Sequence, residues 1–409
     1  MKILIYGLNY YPELTGVGKY TGELSSYFSK KGNDVRVITT NNYFPEWEIK
    51  SNRYKKEYIN KCNVFRCPIF VPKKPNGFLR ILHLLSFCIS SIPVLIYQMK
   101  WSPDFVIVII PTFFSAQMLL FFKRIIFPHA KTWLHIQDLE IDAAKKLGII
   151  RINFLSNFLE KFERNIYYNF DLVSTISNGM KKNIERKINY KKNILVFRNW
   201  IDLNKFKFRD QKNRSNLIFS SIYKIKNNDL VLMYSGSLNK KQDLNCLIQT
   251  IKKTSHLKQI KWILSIEGPS KFLLEKHFLN TKKVIITKLK SNEVLDEWLS
   301  IADIHVLPQK DDINDLVMPS KLIGILASGR PVIATCRSNT EISKIIKNAG
   351  ISVPPGDSNG FYKSILLLFK NQKLREEYGR NAREIAQKMH NKEIILDSIL
   401  KKLNNLKFK

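Results

Sequence analysis

The chain has 409 residues, 44% of them hydrophobic, with 67 Lys and Arg against 34 Asp and Glu and a formal net charge of +33. With only 16 Gly and 15 Pro it is neither collagen-like nor disordered, and at roughly 100–200 residues per domain it predicts two or three domains that bury their own cores. So large a surplus of positive charge calls for an anionic partner: nucleic acid, an acidic membrane surface or a phosphorylated substrate. The surplus is shared almost evenly between the two halves of the chain. A nucleic-acid module concentrates its charge on one domain or stripe, so nucleic acid is not expected, and part of the excess reads as Lys-rich composition. The five cysteines, Cys62, Cys67, Cys88, Cys246 and Cys336, are scattered and odd in number. They predict reduced thiols with neither a disulfide framework nor a zinc site. The opening MKILIYGLNYYPE lacks the long apolar run and small-residue cleavage site of a signal peptide, so a cytoplasmic chain is expected.

In chain order, short apolar runs alternate with helical patterns, the signature of βα units around parallel sheets covered on both faces. The first series predicts strands at Lys2–Tyr6, Val35–Thr39, Phe105–Ile110, Thr132–Ile136, Leu172–Ile176 and Ile194–Phe197. Residues 205–228 are polar, basic and weakly periodic, as expected of a linker. A second series predicts strands at Leu230–Ser235, Trp262–Glu267, Val284–Thr287, Ile304–Leu307, Val332–Ala334 and Ile351–Val353, and an amphipathic helical tail follows Lys373. The expectation is an α/β chain with two doubly wound, Rossmann-like domains facing a cleft, over residues 1–204 and 229–385, with a C-terminal helix at 386–409. Such folds bind ligands at the carboxyl ends of their strands.

Residues 78–98 (FLRILHLLSFCISSIPVLIYQ) stand apart as a nearly continuous apolar run interrupted by Arg80, His83, serines and Pro93. The run is marginal against the roughly 20 apolar residues that a bilayer core needs. It follows a basic stretch that includes Arg53, Lys55, Lys56, Lys61, Lys73 and Lys74. That pairing predicts an interfacial anchor on an anionic leaflet, the alternatives being a buried helix and a true span.

Four places carry candidate chemistry. The first loop (GLNYYPELTGVGKYTGE) leads into a helix expected near Lys19, and Gly16 and Gly18 allow a ligand close to backbone N–H groups at a helix start. It is not a dinucleotide fingerprint, because the turn is long and no acidic residue follows the second strand. The segment LHIQDLEID places His135, Asp138, Glu140 and Asp142 after a strand, as candidate acid–base groups or sugar-hydroxyl partners. In YSGSLNKKQDL, Gly236 ends a strand before a loop with Lys240 and Lys241, a diphosphate clamp without the P-loop pattern. Pro319, Ser320 and Lys321 offer N–H groups, a hydroxyl and a charge at another helix start. Asp311–Asp315 (DDIND) matches the spacing of an all-helical magnesium-dependent family but sits in a loop after a strand, so no metal site is expected.

Together, YYPELTGVGKYTGEL, LHIQDLEIDAA, STISNGM, FRNWIDLNKF, YSGSLNKKQDL, IADIHVLPQKDDINDLVMPSKLIGILASGRPVIAT and VPPGD resemble glycosyltransferase family 4, of GT-B architecture, in the branch that builds colanic acid and O-antigen polysaccharides. The resemblance implies sugar transfer from a nucleotide sugar, expected to be UDP-linked and a substrate rather than a cofactor, without a metal. The acceptor it implies is a lipid-diphosphate-linked saccharide at the inner face of the plasma membrane. It implies His135 and Asp138 beside the sugar, and Glu13 and Lys19 on the acceptor side. Gly16, Gly18, Gly236, Ser237, Lys241, Pro319, Ser320 and Lys321 would lie around the donor diphosphate and nucleotide. The family's paired glutamates fall at Leu316 and Gly324, its usual Arg at Ser237, and a usual Gly at Gln242, so the donor contacts and the expected retention of configuration rest on other groups. Nucleotide-sugar epimerases share this architecture, and a basic polyanion-binding protein is the non-enzymatic alternative.

Overall fold

The computed structural model describes residues 1–13, 16–43, 47–49, 51–73, 77–111, 113–139, 141–142, 153–209, 211–238, 241–268, 270–278, 281–311 and 318–407. The chain divides into two compact units, Met1–Arg198 with Ile394–Lys409, and Asn199–Glu393.

The first unit is built on β1 (Lys2–Gly7), β2 (Asp34–Thr40), β3 (Lys55–Ile59), β4 (Cys62–Cys67), β5 (Phe105–Ile110), β6 (Lys131–Ile136), β7 (Leu172–Thr175) and β8 (Leu195–Val196). Their order is β3-β4-β2-β1-β5-β6-β7-β8, and every pair but β3–β4 is parallel. The helices are α1 (Gly16–Lys30), α2 (Gly77–Tyr97), α3 (Phe113–Ile126), α4 (Asn153–Asn169) and α5 (Asn178–Lys187). β5 (FVIVII) is buried at every position, which is why it reads as a continuous apolar run rather than an alternating one.

The second unit carries β9 (Leu230–Ser237), β10 (Ile260–Glu267), β11 (Val284–Thr287), β12 (Ile304–Leu307), β13 (Val332–Thr335) and β14 (Gly350–Val353) in the parallel order β11-β10-β9-β12-β13-β14. This is the doubly wound order 3-2-1-4-5-6 of a Rossmann fold. Its helices are α6 (Ile218–Ile222), α7 (Leu244–Lys253), α8 (Lys271–Phe278), α9 (Leu295–Ser300), α10 (Lys321–Ser328), α11 (Glu341–Ile346), α12 (Ser358–Lys370) and α13 (Gln372–Met389). Alternate strand residues feed two cores. Val231, Met233 and Leu307 join one, and Leu232, Tyr234 and Val306 join the other.

One element was not anticipated and two expectations are corrected. The antiparallel β3–β4 hairpin was not legible, because β3 (KKEYI) is largely exposed and β4 carries Asn63 and Arg66 within its apolar pattern. Its two-residue turn, Asn60 and Lys61, has φ of 51° and 64°, the left-handed pair that matches the twist of a hairpin. The expected linker at 205–228 is part of the second unit: Phe206, Leu217 and Ile225 join its core. Arg214 explains its polarity, since the buried guanidinium pairs with Asp303 and donates to the carbonyls of Lys226 and Asp229 at 3.0 and 2.8 Å. The C-terminal helix, α14 (Lys392–Lys407), belongs from Ile394 onward to the first unit. There Asp397 accepts from the Tyr27 hydroxyl at 2.6 Å and pairs with Lys31 at 3.1 Å.

Helix α2 contains Pro93, and Phe78–Tyr97 is long and apolar enough to cross a membrane by length and composition, with 22% of its most apolar window buried. Phe78, Leu82, Ile89 and Ile96 are exposed. Their spacing of four, seven and seven puts them on one face. Phe121 and Ile125 of α3 are exposed as well, and α2 packs against α3.

Asp303 also accepts from the Val231 amide at 2.7 Å, so it ties the polar segment to the sheet. Truncating one member of a buried, hydrogen-bonded pair costs about 3–5 kcal/mol. Asp303→Ala should lose stability of that order in chemical denaturation, while an exposed pair such as Lys388–Glu384 should change by less than about 1 kcal/mol when broken.

Candidate active site

In the second unit β9 and β12 are neighbours at the reversal of strand order, where their carboxyl ends leave room for a ligand. The loops after these strands are stitched together. The Lys310 amide donates to the Lys241 carbonyl at 3.1 Å and the Asp243 amide to that of Pro308 at 3.3 Å. Gln242 bridges Gln309, which Thr335 holds on both sides, accepting from its amide at 2.5 Å and donating to its carbonyl at 2.7 Å. Asp243 then caps α7 through the Cys246 amide at 3.0 Å. Lys241 is thereby fixed by its backbone, half-buried, at the mouth of the site.

Lys321 opens α10 and crosses the end of β9. Its ammonium donates to the Tyr234 hydroxyl at 2.7 Å and lies 4.5 Å from the centre of that ring. The Tyr234 hydroxyl in turn donates to the Ser237 carbonyl at 2.8 Å. Gly236 makes the crossing possible: its φ is 147°, and a Cβ there would fall 2.7 Å from Lys321 Nζ. Burial lowers the Lys321 pKa to about 7, with no carboxylate among the described residues to offset it. Pro319 is buried and Ser320 is exposed at the N-cap, where its side chain makes no capping bond. The result is a cation, a hydroxyl and helix-start N–H groups disposed as for an anion. Lys240 and Leu316 lie outside the described residues. Asp311 is half-buried and pairs with Arg337; the rest of DDIND lies outside the described residues.

The first unit places a second set of groups at the end of β1. Helix α1 begins at Gly16, three residues before the expected start, with φ 66° and open space around its Cα. Gly18 is required by Glu13, whose Oε2 would lie 2.3 Å from a Cβ at that position. Glu13 is buried, accepts from Asn9 Nδ2 at 3.0 Å, and burial raises its pKa to about 8. Lys19 lies over the Tyr20 ring. Arg66, not anticipated, frames this end of the sheet: it donates to the carbonyls of Tyr11 and Thr40 at 2.7 and 3.0 Å and to Asn42 Oδ1 at 2.9 Å, and it pairs with Glu57.

His135 is inside β6 rather than in the loop after it. Its Nδ1 lies 2.9 Å from Ser174 Oγ and its Nε2 2.9 Å from Gln137 Nε2, and burial lowers its pKa to about 3. With both nitrogens engaged it is a neutral hydrogen-bonding ring. Ser174 was missed because pairing of β6 with β7, not proximity along the chain, brings it to the imidazole, whereas Gln137 lies only two positions beyond His135. Asp138 is half-buried just beyond β6, and Glu140 lies outside the described residues.

The Glycosyltransferase Family 4 sequence family matches residues 14–205, and the family described as Glycosyl transferases group 1 matches residues 217–385. A curated relative, WcaI of Escherichia coli (strain K12), named for a glycosyl transferase role in colanic acid biosynthesis, is 34% identical over 406 residues, 97% of this chain and 98% of its own. The chain belongs to glycosyltransferase family 4. Its fold is similar to that of sucrose-phosphate synthase from Thermosynechococcus elongatus (TM-score 0.79, 14% identity, covering 99% and 98% of the two chains). It is also similar to HepE of Anabaena in complex with UDP-glucose (0.70, 14%, 99% and 100%). Both likenesses are those of the GT-B fold.

An anion held by Lys321 requires the ammonium, so above a pKa of about 7 binding must take up a proton. With UDP-glucose, whose diphosphate does not titrate near neutrality, affinity should be flat below pH 6 and fall toward tenfold per pH unit above pH 7. Lys321→Arg, which stays charged, should flatten the profile. Calorimetry across pH 5.5–9 checks this; an equal slope in both proteins would remove Lys321 from the anion site.

Proposed function

We propose that this family 4 enzyme transfers a hexosyl or N-acetylaminosugar unit from a UDP-linked donor to a lipid-diphosphate-linked saccharide. The reaction belongs to assembly of a surface polysaccharide of colanic acid, capsule or O-antigen type, the last a part of lipopolysaccharide. The observation that carries the reading is the Lys321 cradle at the end of β9: a half-buried ammonium, with no carboxylate partner among the described residues, resting on Tyr234 and Gly236. The likeness to WcaI along the whole chain supports the pathway class, and the HepE complex with UDP-glucose supports the donor class.

In the proposed reaction the bond from the sugar C1 to the donor phosphate oxygen breaks and a bond from C1 to an acceptor oxygen forms, with retained configuration. Lys241 and Lys321 stabilise the departing nucleoside diphosphate in place of a metal, a task suited to preorganised charges. The acceptor proton passes to Asp138 or to the leaving phosphate. His135 stays neutral and orients its neighbours.

We place the enzyme at the cytoplasmic face of the plasma membrane, docked through the exposed apolar stripe of α2 and the exposed end of α3. Arg80, Lys100 and Arg124 are exposed along these elements, and each cation near an anionic leaflet contributes roughly 1 kcal/mol.

A thermal-shift panel of UDP-, GDP-, ADP- and dTDP-sugars tests the donor; a ligand at 100 times its dissociation constant adds about 2.7 kcal/mol. Stabilisation by the UDP-sugars is expected, and no response to any of the four would overturn the transferase reading. For the membrane, flotation with vesicles of 30% phosphatidylglycerol should recover the wild type and lose Ile89→Asp/Phe121→Asp. Equal flotation of both, or none of either, would reject this docking face.

A further inference from the structure

A buried ionic cluster lies in the first unit beside the segment that follows β6. Lys187, the last residue of α5, pairs with Glu163 of α4 and, at 2.7 Å, with Asp142 at the far end of that segment. The hydroxyl of Tyr167, one turn along α4, donates to Glu163 Oε1 at 2.5 Å. The Glu163 side chain is fully buried, and those of Lys187 and Asp142 are each 17% exposed.

Both oxygens of Glu163 accept, one from the phenol and the other from the ammonium, so the group is ionised in this arrangement and two carboxylates share one cation. Burial raises the Glu163 pKa, and the charge of Asp142 raises it further against the pull of Lys187. Such a cluster is a poor source of stability, because desolvation offsets the attraction of buried ions even where the charges balance. Glu163 by itself would neutralise Lys187, so the second carboxylate is not needed for charge balance. What Asp142 supplies is a fixed end for its segment.

That segment is held at both ends. At its start Gln137 Nε2 lies 2.9 Å from His135 Nε2, and Ser174 Oγ lies 2.9 Å from the Nδ1 of the same ring. At its end stands the pair of Asp142 with Lys187. Leu139 and Ile141 are buried between these points, whereas Asp138 is half-buried. Asp138 is the side chain to which the acceptor proton is assigned above, and a misplacement of about 1 Å in a reacting group can lower a rate roughly a hundredfold. Resting on that transferase reading, we propose that Lys187 is a positioning residue: through Asp142 it fixes the end of the segment that carries Asp138, and so sets where that carboxylate meets the acceptor hydroxyl. Glu163 and Tyr167 hold the ammonium in turn, on a stem that is otherwise flexible.

Hydrogen exchange and turnover together test the tether. Asp142→Ala removes the surplus carboxylate, so it should unfold at or above the wild-type midpoint and keep the wild-type thermal shift with UDP-glucose. Amides of a peptide spanning residues 136–142 should nevertheless exchange fivefold or more faster, as local opening becomes easier. With lipids extracted from the cells that make the enzyme as acceptor, transfer of radiolabel from a UDP-sugar should fall about tenfold or more in kcat, with KM for the donor within twofold. Lys187→Met should lose kcat likewise, and Lys187→Arg, which keeps the charge, should recover it to within threefold of the wild type. Wild-type exchange in Asp142→Ala, or a loosened segment with unchanged kcat, overturns the proposal. A lowered midpoint together with a lost UDP-glucose shift in Asp142→Ala overturns it too, by making the cluster structural. No transfer by the wild type with any UDP-sugar overturns the transferase reading instead, and exchange then decides the tether alone.

Discussion

An ammonium withdrawn from water is unfavourable without a carboxylate to meet it, and at Lys321 none meets it among the described residues of the second unit. Desolvation alone brings its pKa down to about 7. The compensation is modest: the hydroxyl and ring of Tyr234 and a glycine whose missing Cβ leaves the path open. Such a group gains most when a diphosphate arrives, because the charge is then paired inside a site where water is already excluded. The doubly wound sheet supplies the place for it, since only at the reversal between β9 and β12 do the flanking loops diverge. The bonds that tie Lys241, Gln242 and Asp243 to Pro308, Gln309 and Lys310 keep that opening from relaxing onto the lysine.

The first unit solves a different problem with the same topology. At the end of β1 a carboxyl group is buried against Gly18, which raises its pKa to about 8, and the Arg66 guanidinium is committed to Glu57, Asn42 and two carbonyls. One unit therefore presents a desolvated cation at its strand ends, and the other a buried carboxyl group.

Much of this was legible before any coordinates, for a physical reason. Strands buried on both faces must be apolar throughout, so β1, β5 and β12 declare themselves as short unbroken runs. Glycines and lysines that follow such runs mark ligand loops, which is how Gly236 and Lys321 were reached separately. What sequence could not supply was their contact, because that depends on α10 crossing the end of β9, 85 positions away along the chain. Tyr234 reads as an ordinary strand residue until the lysine rests on it. Arg66 and the β3–β4 hairpin were hidden by polarity, and Arg214 disguised a folded segment as a linker. For His135, the sequence showed a histidine near a strand end but not that β7 brings Ser174 to its Nδ1.

The departure from the family's paired glutamates fits the same electrostatics. One of the two positions is Gly324, three residues after Lys321 on α10, and residues three apart on a helix are neighbours. A glutamate there would stand beside the ammonium as an ion-pair partner, raise its pKa and compete with any phosphate for its charge. Glycine at 324 faces only the Leu299 methyl, 3.1 Å from where a Cβ would be, and leaves the lysine uncompensated. A glycine in place of an acid at 324 and a lysine with no carboxylate partner among the described residues are thus consistent with each other and suit the anion site proposed above. In the proposed reaction the hold on the donor's diphosphate then depends on the protonation of Lys321, with Lys241 as the second cation.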